Sequence, residues 1–296
     1  MARTKAISLI QSGATKVELA ELSGLVIENI QKQALSTGLK SQSYTGNPAN
    51  GSVEYRRFKN SASQAYGTAR TNGKGDAITV PPTTVNLDTH REIVEEAAKF
   101  DLDTFGVVNI MARRADNHVD TVAAELDAAF LAQAASEGTA FSTQETDIEA
   151  QVEALIQTLE TVKNDYVRGV PRNLIRLVLD PLYYGKIRTY LDKGVNNANV
   201  DTAAEDFALF HGVRVYSSIN LPVTTETVET SKTKTTTYHM IAMIDGAIAQ
   251  PVVLYPYSEP EKIPISNDYG VSMFFDYGTK ALTPDLIFTY STSVTV

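Results

Sequence analysis

The sequence has no cysteine, so no disulfide framework and no cysteine-type zinc site can be built, and a cysteine nucleophile is excluded. Histidine is scarce, with four in 296 residues: His90, His118, His211 and His239. No run of about 18 apolar residues occurs, so no membrane-spanning helix is expected. The opening Met-Ala-Arg-Thr-Lys-Ala-Ile-Ser-Leu-Ile lacks the apolar core of a secretory signal. The expectation is a soluble chain made in a cytoplasm. Motifs of common chemistry are missing too. Gly73-Lys74-Gly75 lacks the spacing and following hydroxyl of a phosphate loop, and there is no G-x-S-x-G nucleophile elbow.

What remains is an ordinary globular composition, 43% hydrophobic and 21% charged, with a formal net charge of -9. Phosphate binding needs clustered Lys and Arg, so nucleic acid is not the expected ligand of the body. The charge is uneven, however. Residues 51–75 carry Arg56, Arg57, Lys59, Arg70 and Lys74 against Glu54 alone. A basic segment on an acidic body suits one copy pairing with the next, and these five residues are the candidate subunit contacts. As a solvated loop the same charges would simply face water.

The pattern along the chain is that of an α+β protein. After a loose arm, residues 15–37 predict a helix, with a Thr15-x-x-Glu18 capping box, a stripe of Leu19, Leu22, Val26 and Ile30, and Gly38 as its stop. Residues 51–90 predict a long two-stranded ribbon. Its first strand is Val53–Phe58 and its return strand about 77–87. Between them lies a turn-rich stretch with Asn72-Gly73. Pro81 and Pro82 keep the return strand at an edge. Such a ribbon has almost no core and needs outside support.

Glu92–Lys99 predicts a short helix. Residues 115–138 predict a long one, with Val119, Val122, Leu126 and Phe130 on one side and a length of about 36 Å. Ser142-x-x-Glu145 is a second capping box, opening a helix along Ile148, Val152, Leu155, Leu159, Val162 and Tyr166 that Val170-Pro171 breaks. Leu174–Leu179 is an apolar strand, and Asp180-Pro181 starts the helix that Gly194 ends. Val213–Ile219 and Tyr238–Ile244 are strands around a Thr-rich exposed loop or ribbon, 223–237. Extended segments such as Val271–Asp276 and Asp285–Tyr290 close the sequence.

This order resembles the Hong Kong 97-type fold of tailed-bacteriophage major capsid proteins and encapsulins. The resemblance runs through Val170–Tyr184, Phe210-His211-Gly212-Val213-Arg214-Val215-Tyr216, Met240–Ile248 and Tyr269–Tyr290. It implies an N-terminal arm at 1–50 and an extended loop at 51–90. A peripheral domain with the spine helix follows at 91–143, an axial domain at 144–254, and strands returning to the peripheral domain at 255–296. By the same resemblance the protein is not an enzyme and uses no cofactor. It would self-assemble as hexamers and pentamers into an icosahedral shell around double-stranded DNA. A separate scaffolding protein and a portal would act during assembly in the host bacterial cytoplasm. An encapsulin-type shell around protein cargo is the near alternative. Lys59 and Lys74 lie where some relatives crosslink, with no partner Asn identified.

Other sites weigh less. Asp116, His118 and Asp120 form a possible metal trio, the basis of a hydrolase alternative that also draws on Asp101. On a helix His118 points away from the two acids, and a solvated first turn is the plainer expectation. Asp101 and Asp103 are weakly placed paired carboxylates. His211 and His239 are expected to be buried and hydrogen-bonded. Arg113 and Arg114 would meet a neighbour's acids or remain solvated.

Overall fold

A computed structural model describes residues 12–75, 77–100, 103, 106–193, 209–229 and 232–295. The chain opens with α1 (Ser12–Gln33) and the short α2 (Leu35–Leu39). β1 (Ser52–Arg56) follows, then one helical turn, α3 (Thr68–Asn72), and the strands β2 (Pro82–Asn86) and β3 (Thr89–Ala97). The long helix α4 (Val107–Glu137) leads through β4 (Thr139–Ala140) to α5 (Ile148–Thr161), β5 (Ile175–Leu179) and α6 (Pro181–Lys193). Next come β6 (Leu209–Phe210), β7 (Val213–Ser217), β8 (Val223–Glu229) and β9 (Lys232–Ile244). The last strands are β10 (Ile248–Ala249), β11 (Val252–Leu254), β12 (Glu261–Lys262), β13 (Tyr269–Tyr277), β14 (Lys280–Ala281) and β15 (Ile287–Thr295).

Two sheets share one helix. At 31 residues α4 is about 46 Å long, a turn or two beyond the 115–138 expected. Its first half buries Met111, Val119, Val122 and Leu126 against α1 and the inner face of β13, at Val271, Met273 and Phe275. Its second half buries Phe130, Leu131 and Ala134 against Val178, Ile241, Met243 and Ile287 of the larger sheet. The opposite face of that sheet packs on Val152, Leu155, Ile156 and Leu159 of α5 and Ile187 of α6. The smaller sheet holds β11, β12, β13 and β3, and the larger runs β4-β15-β9-β5-β7-β6 with β8 added to β9. β5 and β7 are parallel; β5 and β9 are antiparallel.

Several elements differ from the sequence expectation, each for a local reason. Of the helix expected over Glu92–Lys99, residues 92–97 are strand. Helix-forming Glu and Ala are overridden by a nine-residue antiparallel ladder between β3 and β13, in which Arg91, Ile93, Glu95 and Ala97 take one face. The helix expected over 15–37 breaks at Ala34. The buried carboxylate of Asp127, from the middle of α4, accepts the backbone N–H groups of Leu35 and Ser36 at 3.1 and 2.8 Å and so caps α2. Thr15 lies inside α1 rather than at its start, and Gly38 falls within α2. Ser142-x-x-Glu145 caps nothing. The chain runs extended past β15 after β4, and α5 begins only after Asp147. α5 stops at Thr161, and a tight turn closed by Lys163 and Arg168 follows, well before Val170-Pro171. Gly194 lies outside the described residues, as do residues 1–11 of the arm.

The strands at 255–296 divide between the two sheets. β12 and β13 join the smaller sheet, and β15 inserts between β4 and β9 of the larger one. β11, inside the span assigned to the axial domain, pairs with β13.

An ionic cluster ties α5 to the larger sheet. Arg172 donates to Glu153 at 2.6 Å and to Glu160 at 2.7 Å, and His211 meets Glu153 at 2.8 Å. His211 itself is exposed, contrary to the buried place expected. It sits with Gly212 at positive φ, 46° and 87°, in the two-residue turn from β6 to β7, which requires that backbone. His239 matches the expectation more closely, being largely buried and bonded to Asp180 at 2.9 Å and Thr292 at 2.8 Å. Bonds from Arg172 hold the Glu153 carboxyl down to about 2, from an ordinary 4.5, against a desolvation that works to raise it. A depressed carboxylate stabilises the fold fully above about pH 4.5, and that contribution is lost as pH falls toward 2. Arg172→Leu is therefore expected to cost about 2 kcal/mol at neutral pH. It should also raise the pH midpoint of acid unfolding, followed by circular dichroism.

Candidate assembly interface

β1 and β2 pair for only five residues, from Ser52↔Asn86 to Arg56↔Pro82. This root is short but has a core, since Val53, Tyr55 and Val85 are buried with Ala249. Both points revise the long coreless ribbon that the sequence suggested. Beyond Arg56 the strands part. Lys59 N–H still reaches the Thr79 carbonyl at 3.3 Å, and Asn60 N–H the Asp165 carbonyl at 2.8 Å. Further out, the backbone bonds of 61–81 are local turns around α3.

The five basic candidates separate into two groups. Arg57 forms a fork to Asp285, at 2.6 and 2.9 Å, and its guanidinium lies 4.0 Å from the Tyr166 ring centroid. Although burial works against it, Arg57 holds the Asp285 carboxyl below the usual range. Asn164 donates to the same carboxylate. Lys59 reaches Asp165 at 3.2 Å and Arg56 reaches Glu54 at 2.8 Å. Arg57 and Lys59 fasten the loop to the rest of its own chain, whereas the Arg56 pair lies within β1. Arg70 and Lys74, toward the tip, are exposed, and no ion pair is recorded for either among the described residues.

Sequence reasoning gave those two positions weight for their charge and missed their apolar neighbours. Phe58 is 66% exposed, Tyr66 98% and Ile78 83%. Three large exposed apolar side chains on one loop, where Asp76 is the single acidic residue from 55 to 81, are suited to burial against another molecule.

A matching surface lies on the outer face of the smaller sheet. Cross-strand partners share a face, so the register Glu92↔Phe274, Val94↔Ser272 and Glu96↔Gly270 places Glu92, Val94, Glu96 and Phe274 together. All four are exposed. Tyr255 joins them, its hydroxyl donating to Asp276 at 3.0 Å. The face is apolar at its centre and acidic at its flank, the complement of the loop.

The metal trio does not converge. His118 is buried rather than in a solvated first turn, two turns and more inside α4. Its Nδ1 meets the Tyr257 hydroxyl at 2.7 Å and its Nε2 meets Glu95 at 3.2 Å. Burial, with Glu95 nearby, pushes the Tyr257 hydroxyl up to about 12, so it keeps its proton. Asp116 and Asp120 are exposed beside Lys32 and Gln33, and Gln33 donates to Asp120 at 2.5 Å. Arg114 is held within the chain by Glu95, at 2.8 Å. Asp103 is exposed; Asp101 and the Arg113 side chain fall outside the described residues. Among the described residues no group of three or more His, Asp or Glu is placed to hold a metal ion, and none forms a membrane-crossing helix.

An extended loop, a spine helix shared by two sheets, and an axial sheet sandwiched by helices together define the Hong Kong 97-type capsid architecture. Solved structures bear this out. The capsid of the cyanophage P-SCSP1u aligns with a TM-score of 0.57 at 13% identity, over 85% of this chain and 84% of that one. The head structure of Helicobacter pylori bacteriophage KHP40 aligns with a TM-score of 0.58 at 8% identity, over 88% and 90%. The capsid of an empty GTA particle covers 98% of this chain and 94% of its own, at 14% identity and a TM-score of 0.55. No protein-family model matches the sequence, and no curated protein matches it either.

Removal of the loop anchor has a defined expected outcome. Arg57→Ala leaves Asp285 half-buried without its fork and should cost about 2 kcal/mol in urea unfolding. Arg57→Lys should recover only part of that, having neither the planar fork nor the stacking on Tyr166. Limited chymotrypsin digestion at Phe58 and Tyr66 should quicken in both.

Proposed function

We propose that this protein is the major head protein of a tailed phage, a structural subunit without a catalytic centre. Copies associate as pentamers and hexamers into a closed icosahedral shell around double-stranded DNA. Residues 1–50 act as the arm and 51–88 as the extended loop. The peripheral unit is α4 with the β3–β13 sheet, and the axial unit is the larger sheet with α5 and α6. A separate scaffolding protein and a portal assist assembly in the bacterial cytoplasm. The net charge of -9 suits a container whose wall does not grip its genome.

One observation carries this reading beyond the fold. The loop carries Phe58, Tyr66, Ile78, Arg70 and Lys74 exposed, and the outer face of the smaller sheet presents Val94, Phe274 and Tyr255 with Glu92 and Glu96. Two different patches that complement each other on one chain suit a heterologous contact, which repeats from copy to copy and gives a ring where the rotation closes.

Charge exchange tests it. Arg70→Glu with Lys74→Glu should abolish particle formation, measured by sedimentation velocity. Adding Glu92→Lys and Glu96→Lys to the same chain should restore it. Undiminished particles from the loop variant alone would rule out the contact. Nuclease-resistant DNA inside particles from phage-producing cells supports the genome container; protein cargo and no DNA would favour the encapsulin-type shell.

A further inference from the structure

The axial sheet continues past its helices. Only Met240–Ile244 of β9 pairs with β5, whereas residues 232–237 run on as the middle strand of a three-stranded ribbon, with β8 on one side and the end of β15 on the other. The backbone polarity of both outer strands follows from single hydrogen bonds. Phe141 N–H donates to the Thr289 carbonyl at 2.7 Å, so Thr289 faces the outer edge. Strand alternation then turns the N–H and C=O of Ser291 and Ser293 outward as well. Tyr238 N–H donates to the Pro222 carbonyl at 3.2 Å, which turns those of Val223 and Thr225 away from β9. Two edges of equal span, 223–227 and 291–295, therefore present a row of backbone donors and acceptors. Among the described residues no backbone bond to these outward groups is recorded.

Exposed edges ordinarily carry a Lys, a Pro or a bulge that blocks pairing with another chain. Ser291-Thr292-Ser293-Val294-Thr295 has none. The register shift between Tyr290 and Ser291 falls opposite the unpaired His239 of β9, so the bulge lies on the inner strand and leaves the edge regular. On β8 the one charge within 223–227, Glu226, stands opposite Lys234, and Ser, Thr and Val supply the remaining side chains. Nothing charged must be buried for the edges to meet.

We propose that the β15 edge of one copy receives the β8 edge of a second copy, so that the axial sheet continues from subunit to subunit. The two edges are different, and the contact therefore repeats from copy to copy instead of stopping at a pair. The proposal rests on the shell assignment above and adds to it a main-chain interface separate from the loop.

Proline reports on it directly, because at an outward-facing position it removes a free N–H and no bond of the subunit's own ladder. Ser293→Pro and Thr225→Pro should each reduce assembly at least tenfold while keeping the wild-type unfolding midpoint; Ser293→Ala, which retains the N–H, should assemble normally. Hydrogen exchange of the wild type reads the same contact without substitution. Peptides spanning 223–229 and 287–295 should exchange at least tenfold more slowly in particles than in free subunits. Particles in which both peptides exchange at the free-subunit rate would overturn the edge contact and leave the shell assignment standing. Failure of the wild type to form particles under any condition would overturn both.

Discussion

Replacing Phe58, Tyr66 and Ile78 together with Ser should abolish particle formation and leave the unfolding midpoint of the isolated subunit unchanged. The second half of that result follows from exposure. At 66%, 98% and 83% exposed, these side chains contribute little to the fold of their own subunit, and polar replacements at such sites move stability within about 0.5 kcal/mol. The first half follows from what an assembled shell does with them. Burying a large apolar side chain is worth about 1.5–3 kcal/mol. Three per copy give a contact weakened by about 5 kcal/mol, or more than a thousandfold in association. The loss recurs at every contact in a shell. A volume-conserving control, Phe58→Leu, should assemble. Sedimentation velocity separates subunits from particles, and urea unfolding checks the fold.

Gly278→Ala acts at the other end of the same device. A methyl group there would stand 1.8 Å from the Asn86 carbonyl oxygen, 2.8 Å from its carbon and 3.3 Å from the Leu87 Cα. All three are backbone atoms, and they cannot step aside. Asn86 is paired with Ser52 in the β1–β2 root, and Leu87 N–H is bonded to the Gly51 carbonyl at 2.9 Å. Accommodation requires moving the turn after β13 away from the root of the loop, which separates the loop from the peripheral sheet. A loss of about 3 kcal/mol or more is expected in urea unfolding. Gly185→Ala is the natural comparison. It lies in α6 with nothing within 4 Å of the added methyl, and the exchange of Gly for Ala within a helix should stabilise by up to about 1 kcal/mol.

Local signals read well from the sequence wherever the deciding partner was near in the chain or the apolar stripe was wide. Val119, Val122, Leu126 and Phe130 of α4 and Val152, Leu155 and Leu159 of α5 are buried as their spacing requires. Asp180 caps α6 as expected, accepting Leu182 N–H at 2.5 Å, with Pro181 at the first helical position. Of the Thr-rich stretch 223–237, the described residues 223–229 and 232–237 form a ribbon, exposed over 223–227. Elements set by distant partners were not legible. β3 is rich in Glu and Ala, and only its ladder to β13, some 180 residues later, makes it strand. The break at Ala34 comes from Asp127, 91 residues from Ser36. Arg57 read as an outward charge because Asp285 is 228 residues away. Apolar side chains on the loop were overlooked for a different reason. Phe58 and Ile78 fall within the two expected strands, Tyr66 stands alone between Ala65 and Gly67, and the exposure of all three is visible only in three dimensions. The sequence did hold a signal for them: Phe, Tyr and Ile have no ordinary place in a turn-rich basic stretch.

Electron microscopy of the purified wild-type protein, expressed alone and with the neighbouring genes of its source, tests the central claim most directly. Closed polyhedral particles, or rings of five and six subunits, are the predicted result, with the loop of each copy lying across the β3–β13 face of the next. A uniform population of monomers or dimers under every condition would contradict it.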